Sequence, residues 1–92
     1  MNTTDHVDLQ MRLRLLASKL SPCMSESEEA QVHEFLDAAE FGIALEEVIA
    51  IVIDKQSPIS QEVHMECLEL ARVMGLSNTI PARELGDLAD QP

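Results

Sequence analysis

The chain has 92 residues, 46% of them apolar, with only two aromatic rings outside histidine, Phe35 and Phe41. That length holds one domain with a single modest core, and that apolar content excludes a disordered acidic tail. Seventeen acidic residues against six basic ones give a formal charge of −11, a surface that repels nucleic acid and anionic membrane and draws in basic partners.

With no Trp or Tyr, the core must be filled by Leu, Ile, Val, Met and Ala, which suits helix-on-helix packing. Three glycines and four prolines are too few for an all-β fold with many turns. The expected architecture is all-α, a single domain over residues 1–92 with four main helices and a short C-terminal one. Residues 1–6 are polar and read as a frayed end, with neither the basic nor the apolar region of an export signal. Cys23 and Cys67 form no C-x-x-C pair, so they read as free thiols in a reducing cytoplasm.

The first helix is expected from about Val7 to Leu20. Leu9, Leu13, Leu16 and Leu20 recur at helical spacing on one stripe, Met11 and Leu15 widen it, and Arg12, Arg14 and Lys19 line the outside. Asp5 and Asp8 stand at its start, as the helix dipole prefers, and Ser21-Pro22 ends it. Ser25-Glu26-Ser27-Glu28 matches a capping box that opens a second helix running to about Glu40. Val32, Phe35, Leu36 and Ala39 form its inner stripe. Glu26, Glu29, His33, Asp37 and Glu40 follow at steps of three or four as a nearly unbroken acidic ridge.

Between Lys19 and Lys55 there are nine acids and no Lys or Arg. Like charges at those spacings cost a few tenths of a kcal/mol per pair, roughly, so a basic partner explains the ridge better than a structural role does. Phe41-Gly42 is expected to separate the second helix from the third, with Gly42 supplying either a left-handed C-terminal position or room for a tight turn.

The third helix, about Ile43 to Lys55, is the apolar one: nine of the eleven residues from Ile43 to Ile53 are apolar. A helix that apolar needs cover on several sides, yet it is shorter than the roughly 20 residues that span a bilayer. It is therefore expected to be the central helix, with Leu45, Val48, Ile49 and Val52 as its main stripe. Ile51 and Ile53 broaden that stripe, and Glu46, Glu47, Ala50 and Asp54 form its wettable edge. After Pro58-Ile59, Ser60 is a fair N-cap for a fourth helix over Gln61–Met74. Val63, Cys67, Leu70, Ala71 and Met74 face inward there, and Gly75 closes the helix. Thr79-Ile80-Pro81 starts a short last helix over Ala82–Ala89, docked loosely by Leu85 and Leu88.

No catalytic constellation stands out. His64 and Cys67 lie at i, i+3 and His33 and Asp37 at i, i+4, but each pair supplies two ligands where a structural zinc needs four. No phosphate loop, nucleophile elbow or H-E-x-x-H is present. Neither a metal nor a cofactor is expected, nor an enzyme. An acidic helical domain of this length also suggests an acyl carrier protein, but there is no Asp-Ser-Leu, and Ser25, followed by Glu26, is a poor substitute.

The run from Glu34 to Glu47, with Glu40-Phe41-Gly42-Ile43-Ala44-Leu45-Glu46 at its centre, resembles the signature of the MafI-type family of small helical bacterial immunity proteins. Those proteins accompany polymorphic toxins and contact-dependent inhibition systems. Pro58-Ile59-Ser60 and Met74-Gly75-Leu76 follow in the family's order, so the resemblance covers about residues 34–76. Ala39 stands where the signature has glycine, and Phe41 where tyrosine is common.

The resemblance implies a cytoplasmic protein that binds a cognate toxin, often a nuclease, and blocks it stoichiometrically. Charge points the same way, since a nuclease holds phosphates with Lys and Arg and an inhibitor presenting carboxylates fits the same groove. The partner-binding candidates are Glu29, His33, Asp37 and Glu40 on the second helix, then Glu46, Glu47 and Asp54 on the third. Glu40 and Glu46 have an alternative role in bracing the Gly42 turn. The competing reading is a helical adaptor or regulatory subunit that docks through an apolar groove.

Overall fold

The computed structural model describes residues 3–90, with side chains from His6 onward. Five α-helices follow in order: α1 Thr3–Lys19, α2 Glu26–Asp37, α3 Phe41–Asp54, α4 Gln61–Val73 and α5 Ala82–Ala89, with a 3-10 turn Ser21–Cys23 after α1. No strand occurs among the described residues. The radius of gyration, 12.4 Å, is that of a tightly folded chain of this length, about 12 Å.

The most apolar stretch of the sequence sits at the centre. Seven residues of α3 are buried, among them Leu45, Val48, Ile49 and Val52, and α3 packs against each of the other four helices. Around it, α1 contributes Leu9, Leu13, Leu16 and Leu20, α2 Val32 and Leu36, and α4 Val63, Cys67, Leu70 and Ala71. Leu85 and Leu88 of α5 are almost wholly buried, at 1% and 3% exposure. That last helix is therefore part of the core and is not loosely docked. Its neighbour Ile59 is buried too, and the Ile59 N–H donates to the Leu88 carbonyl.

Side-chain caps start two helices as the sequence indicates. Ser25 Oγ accepts from the Glu28 N–H while Glu28 Oε1 accepts from the Ser25 N–H, a complete capping box. Ser60 Oγ accepts from the Val63 N–H. The first helix begins at Thr3, earlier than expected. His6, placed in a frayed end by its polarity, packs its ring edge-on against Phe41 with centroids 4.8 Å apart.

The helix ends differ more from expectation. Helix α2 stops at Asp37, and the break falls at residues 38–40. Ala39 takes the left-handed conformation at φ 60°, its N–H donating to the Leu36 carbonyl and the Glu40 N–H to that of Phe35. This pair of bonds is a Schellman closure. Phe41 and Gly42 thus belong to the first turn of α3, where a Cβ on Gly42 would lie against Leu76 Cδ1 at 3.4 Å, in van der Waals contact. Helix α3 ends in the same closure, with Gln56 at φ 52° and the Ser57 N–H donating to the Val52 carbonyl. Helix α4 repeats it with Gly75 at φ 73° and the Leu76 N–H donating to that of Ala71.

One face of α1 also departs from expectation. Met11 and Leu15 do not widen the buried stripe; they are 66% and 58% exposed, on the opposite side of the helix.

Candidate functional site

The acidic candidates divide according to whether an internal cation reaches them. Helix α1 lies beside α2 and sends Arg14 across it. Arg14 Nη2 donates to Asp37 Oδ1 at 2.7 Å, and Nη1 lies 3.3 Å from His33 Nδ1. A guanidinium has only donors, so this contact is a hydrogen bond in the tautomer whose Nδ1 accepts. The structure thus brings His33 and Asp37 together, and gives part of the ridge a structural partner that the local spacing did not reveal. Asp37 remains largely open to solvent, with 72% of its side chain exposed.

Glu29, Glu40, Glu46, Glu47 and Asp54 make no ion pair among the described residues. Glu29 and Glu47 are half-buried, and Glu40, Glu46 and Asp54 are exposed. Glu40 occupies the N-cap position of α3, but its side chain makes no capping bond there. Only its backbone does structural work, the carbonyl accepting from Ala44. Its carboxylate is exposed at the joint of α2 and α3 and makes no side-chain hydrogen bond or ion pair among the described residues. No hydrogen bond links these five residues to one another or to His33 and Asp37, so they are separate points on an acidic surface.

Elsewhere the scarce cations are used internally. Arg12 bridges α1 to Glu66 of α4 at 2.5 Å and also approaches Asp8. Lys19 reaches Glu62, Lys55 reaches Glu28, and Arg72 holds Glu69. Lys55 and the Ser25 backbone hold the Glu28 carboxyl below the usual carboxylate range. Lys19 does the same for Glu62, and Arg72 for Glu69. Five of the six basic residues are thereby paired within the molecule. The unpaired acids of α2 and α3 thus keep their full negative charge among the described residues.

The chemistry available is recognition by charge. Among the described residues no group of three or more His, Cys, Asp or Glu side chains is placed to hold a metal ion. Cys67 is buried among apolar side chains, and desolvation pushes its thiol up to about 12, well away from a reactive thiolate. His64, three residues before it, packs its ring on Gly86 of α5, at 3.5 Å from where a Cβ would stand, and its Nδ1 is buried without a hydrogen-bond partner. That ring fills space between helices. No helix among the described residues is long and apolar enough to cross a membrane.

The sequence reading passed over Arg14 as one of several residues on the outside of α1. Only the packing of α1 on α2 directs it to His33 and Asp37. Comparison of the chain with models of known protein families, with curated proteins and with solved structures finds no match.

Proposed function

We propose that this protein is a cytoplasmic immunity protein that binds and neutralises a cognate basic toxin domain, an RNase or DNase, by stoichiometric inhibition without catalysis. The observation that carries the reading is the set of uncompensated carboxylates on α2, α3 and the joint between them, above all Glu40, Glu46 and Asp54, which are exposed and make no ion pair among the described residues. A nuclease must present Lys and Arg to hold phosphates. A surface of carboxylates already free of internal cations meets such a groove without first breaking ion pairs of its own. Glu29, Glu47 and Asp37, whose side chain stays 72% exposed, are the further candidates, with His33 joined to Asp37 through Arg14.

The MafI-type resemblance supports the same reading. Where its signature has glycine, this chain places Ala39 at φ 60°, the conformation glycine adopts without cost. The first turn of α3, which carries the rest of the signature, then begins at the joint where Glu40 is exposed.

The test is protection of cells. The protein is coexpressed with candidate basic RNase and DNase toxin domains, beginning with any encoded beside its own gene, and survival is compared between wild type and Glu40→Lys/Glu46→Lys. Both side chains are exposed and make no side-chain hydrogen bond or ion pair among the described residues, so helicity should be unchanged while protection falls. Full protection by the double variant would remove the acidic surface from the mechanism. A second reading, an adaptor docking through an apolar surface, is favoured by one observation: Val7, Met11 and Leu15 of α1 are exposed at 49%, 66% and 58%.

A further inference from the structure

We infer that Ile43 is the apolar anchor of the partner-binding surface, received by the basic toxin domain in an apolar depression flanked by Lys and Arg, an inference that rests on the function proposed above. Helix α3 buries seven of its residues in the core, yet Ile43, in its first turn, is 46% exposed. It is the one large apolar side chain exposed to that degree on α2 or α3. The fold does not call for it there, since a β-branched residue at an open helix position adds neither packing nor helix propensity. A solitary exposed isoleucine is ordinary on any surface; its surroundings set this one apart.

Glu40 precedes Ile43 by three residues, and Glu46 and Glu47 follow it by three and four, the spacings of neighbours on a helix surface. None of these three carboxylates makes an ion pair among the described residues. The exposed apolar side chains of α1 and α4 stand beside charges that are already spent. Met11 and Leu15 lie next to Arg12 and Arg14, which hold Glu66 and Asp37. Met65 and Val73 lie next to Glu62 and Glu69, which hold Lys19 and Arg72. Among the described residues, Ile43 alone joins an exposed large apolar side chain to carboxylates that have no internal cation.

Those carboxylates select the occupant. A second copy docking here would set Glu40, Glu46 and Glu47 against their own kind, and nucleic acid or anionic membrane is repelled by the same charges. A cationic protein surface is drawn in. Carboxylates meeting Lys and Arg at an exposed surface speed encounter, but such pairs add little to the lifetime of a complex while water still reaches them. An apolar side chain seated between them supplies the short-range hold and excludes that water, which strengthens the flanking pairs. The two kinds of residue therefore divide the work: Glu40 and Glu46 set how fast the complex forms, and Ile43 sets how long it lasts.

The experiment measures association and dissociation rates with a basic RNase or DNase toxin domain against which the wild-type protein protects cells. Ile43→Ala should dissociate faster by about tenfold or more while associating within about twofold of wild type. Ile43→Met, which keeps an apolar side chain of similar size, should restore slow dissociation, and Glu40→Lys/Glu46→Lys should instead slow association. Circular dichroism of each variant checks that the helices are intact. Unchanged dissociation of Ile43→Ala, with association still slowed by the charge variant, overturns the anchor and leaves the proposed function standing. Dissociation as fast in Ile43→Met as in Ile43→Ala overturns it as well, assigning the effect to packing of the first turn. Ile43→Ala that dissolves a dimer of the free protein without altering the toxin rates gives the face to a second copy. Rates that neither Ile43→Ala nor the charge variant alters overturn the acidic surface itself, and failure to protect against any such toxin domain overturns the proposed function, in either case taking the anchor with it.

Discussion

Three helices of this protein end in the same closure with three different residues at its left-handed position, which gives a graded test of the backbone account. Ala39 at φ 60° is exposed, so Ala39→Gly changes almost nothing except conformational strain. A left-handed Cβ costs roughly 1–2 kcal/mol, and the extra freedom of glycine in the unfolded chain returns about 0.5–1 kcal/mol of that. Ala39→Gly should therefore stabilise by about 0.5–1 kcal/mol, a rise in Tm of roughly 3–6 °C for a domain of this size. Its neighbour Ala38, at φ −86° and ψ 4°, has no such strain, and Ala38→Gly should give no gain. Gly75 is the converse: at φ 73° with nothing within 4 Å of an added Cβ, Gly75→Ala meets only the backbone penalty, about 1 kcal/mol. Gln56→Gly should gain less than Ala39→Gly, because it also loses the Gln56 Nε2 bond to the Ile53 carbonyl at 2.8 Å. The assay is urea unfolding followed by circular dichroism, since a chain without Trp or Tyr offers no useful intrinsic fluorescence. Destabilisation by Ala39→Gly, to the same extent as by Ala38→Gly, would refute the placement of Ala39 outside α2.

Further outcomes follow from the thiols and ion pairs. At pH 8, Cys67 should resist a thiol reagent in the folded protein while the half-buried Cys23 reacts first. Because burial raises the Cys67 thiol from 9.0 to about 12, the unfolded state ionises first. Stability should then fall above pH 9 by up to about 1.4 kcal/mol per pH unit, a slope that Cys67→Ala diminishes even though it lowers stability overall. Glu28, Glu62 and Glu69 are held below their ordinary value of 4.5 by Lys55, Lys19 and Arg72. Their pairs therefore support the fold fully above that pH and lose the contribution as pH falls through the lowered values; single Gln variants should flatten the acid limb of a stability–pH curve. Arg14→Ala, removing a pair whose side chains are 37% and 72% exposed, should cost about 0.5 kcal/mol by the same urea assay.

Much of the fold was legible because the local signals and the tertiary demand agree. The α1 leucines, the Ser25–Glu28 box, the Ser60 cap and Gly75 each mark in sequence the job they do in space. The apolar run of α3 could find cover only at the centre of a bundle. Ala39 and Gln56 were missed for a physical reason: an alanine or glutamine in a left-handed position is held there by the surrounding closure, and its identity carries no signal of it. Gly42, the residue that did carry such a signal, sits inside the first turn of α3 and has no left-handed backbone. Met11 and Leu15 misled because periodicity finds apolar stripes without saying which of two faces the core. Of the candidate surface, the identity of the acids could be read directly. Their division into paired and unpaired sets could not, since the pairing of Asp37 with Arg14 spans two helices and depends on how they pack.

The proposal that the carboxylates of α2, α3 and their joint form the binding surface is tested most directly by the salt dependence of association with a basic toxin domain against which the protein protects. Stopped-flow mixing at roughly 50 mM and 500 mM salt should show the on-rate falling by about tenfold or more, with Glu40→Lys/Glu46→Lys already slow at low salt. An on-rate indifferent to salt and to that double variant, but lost with Met11→Glu, would contradict the claim and move the binding surface to α1.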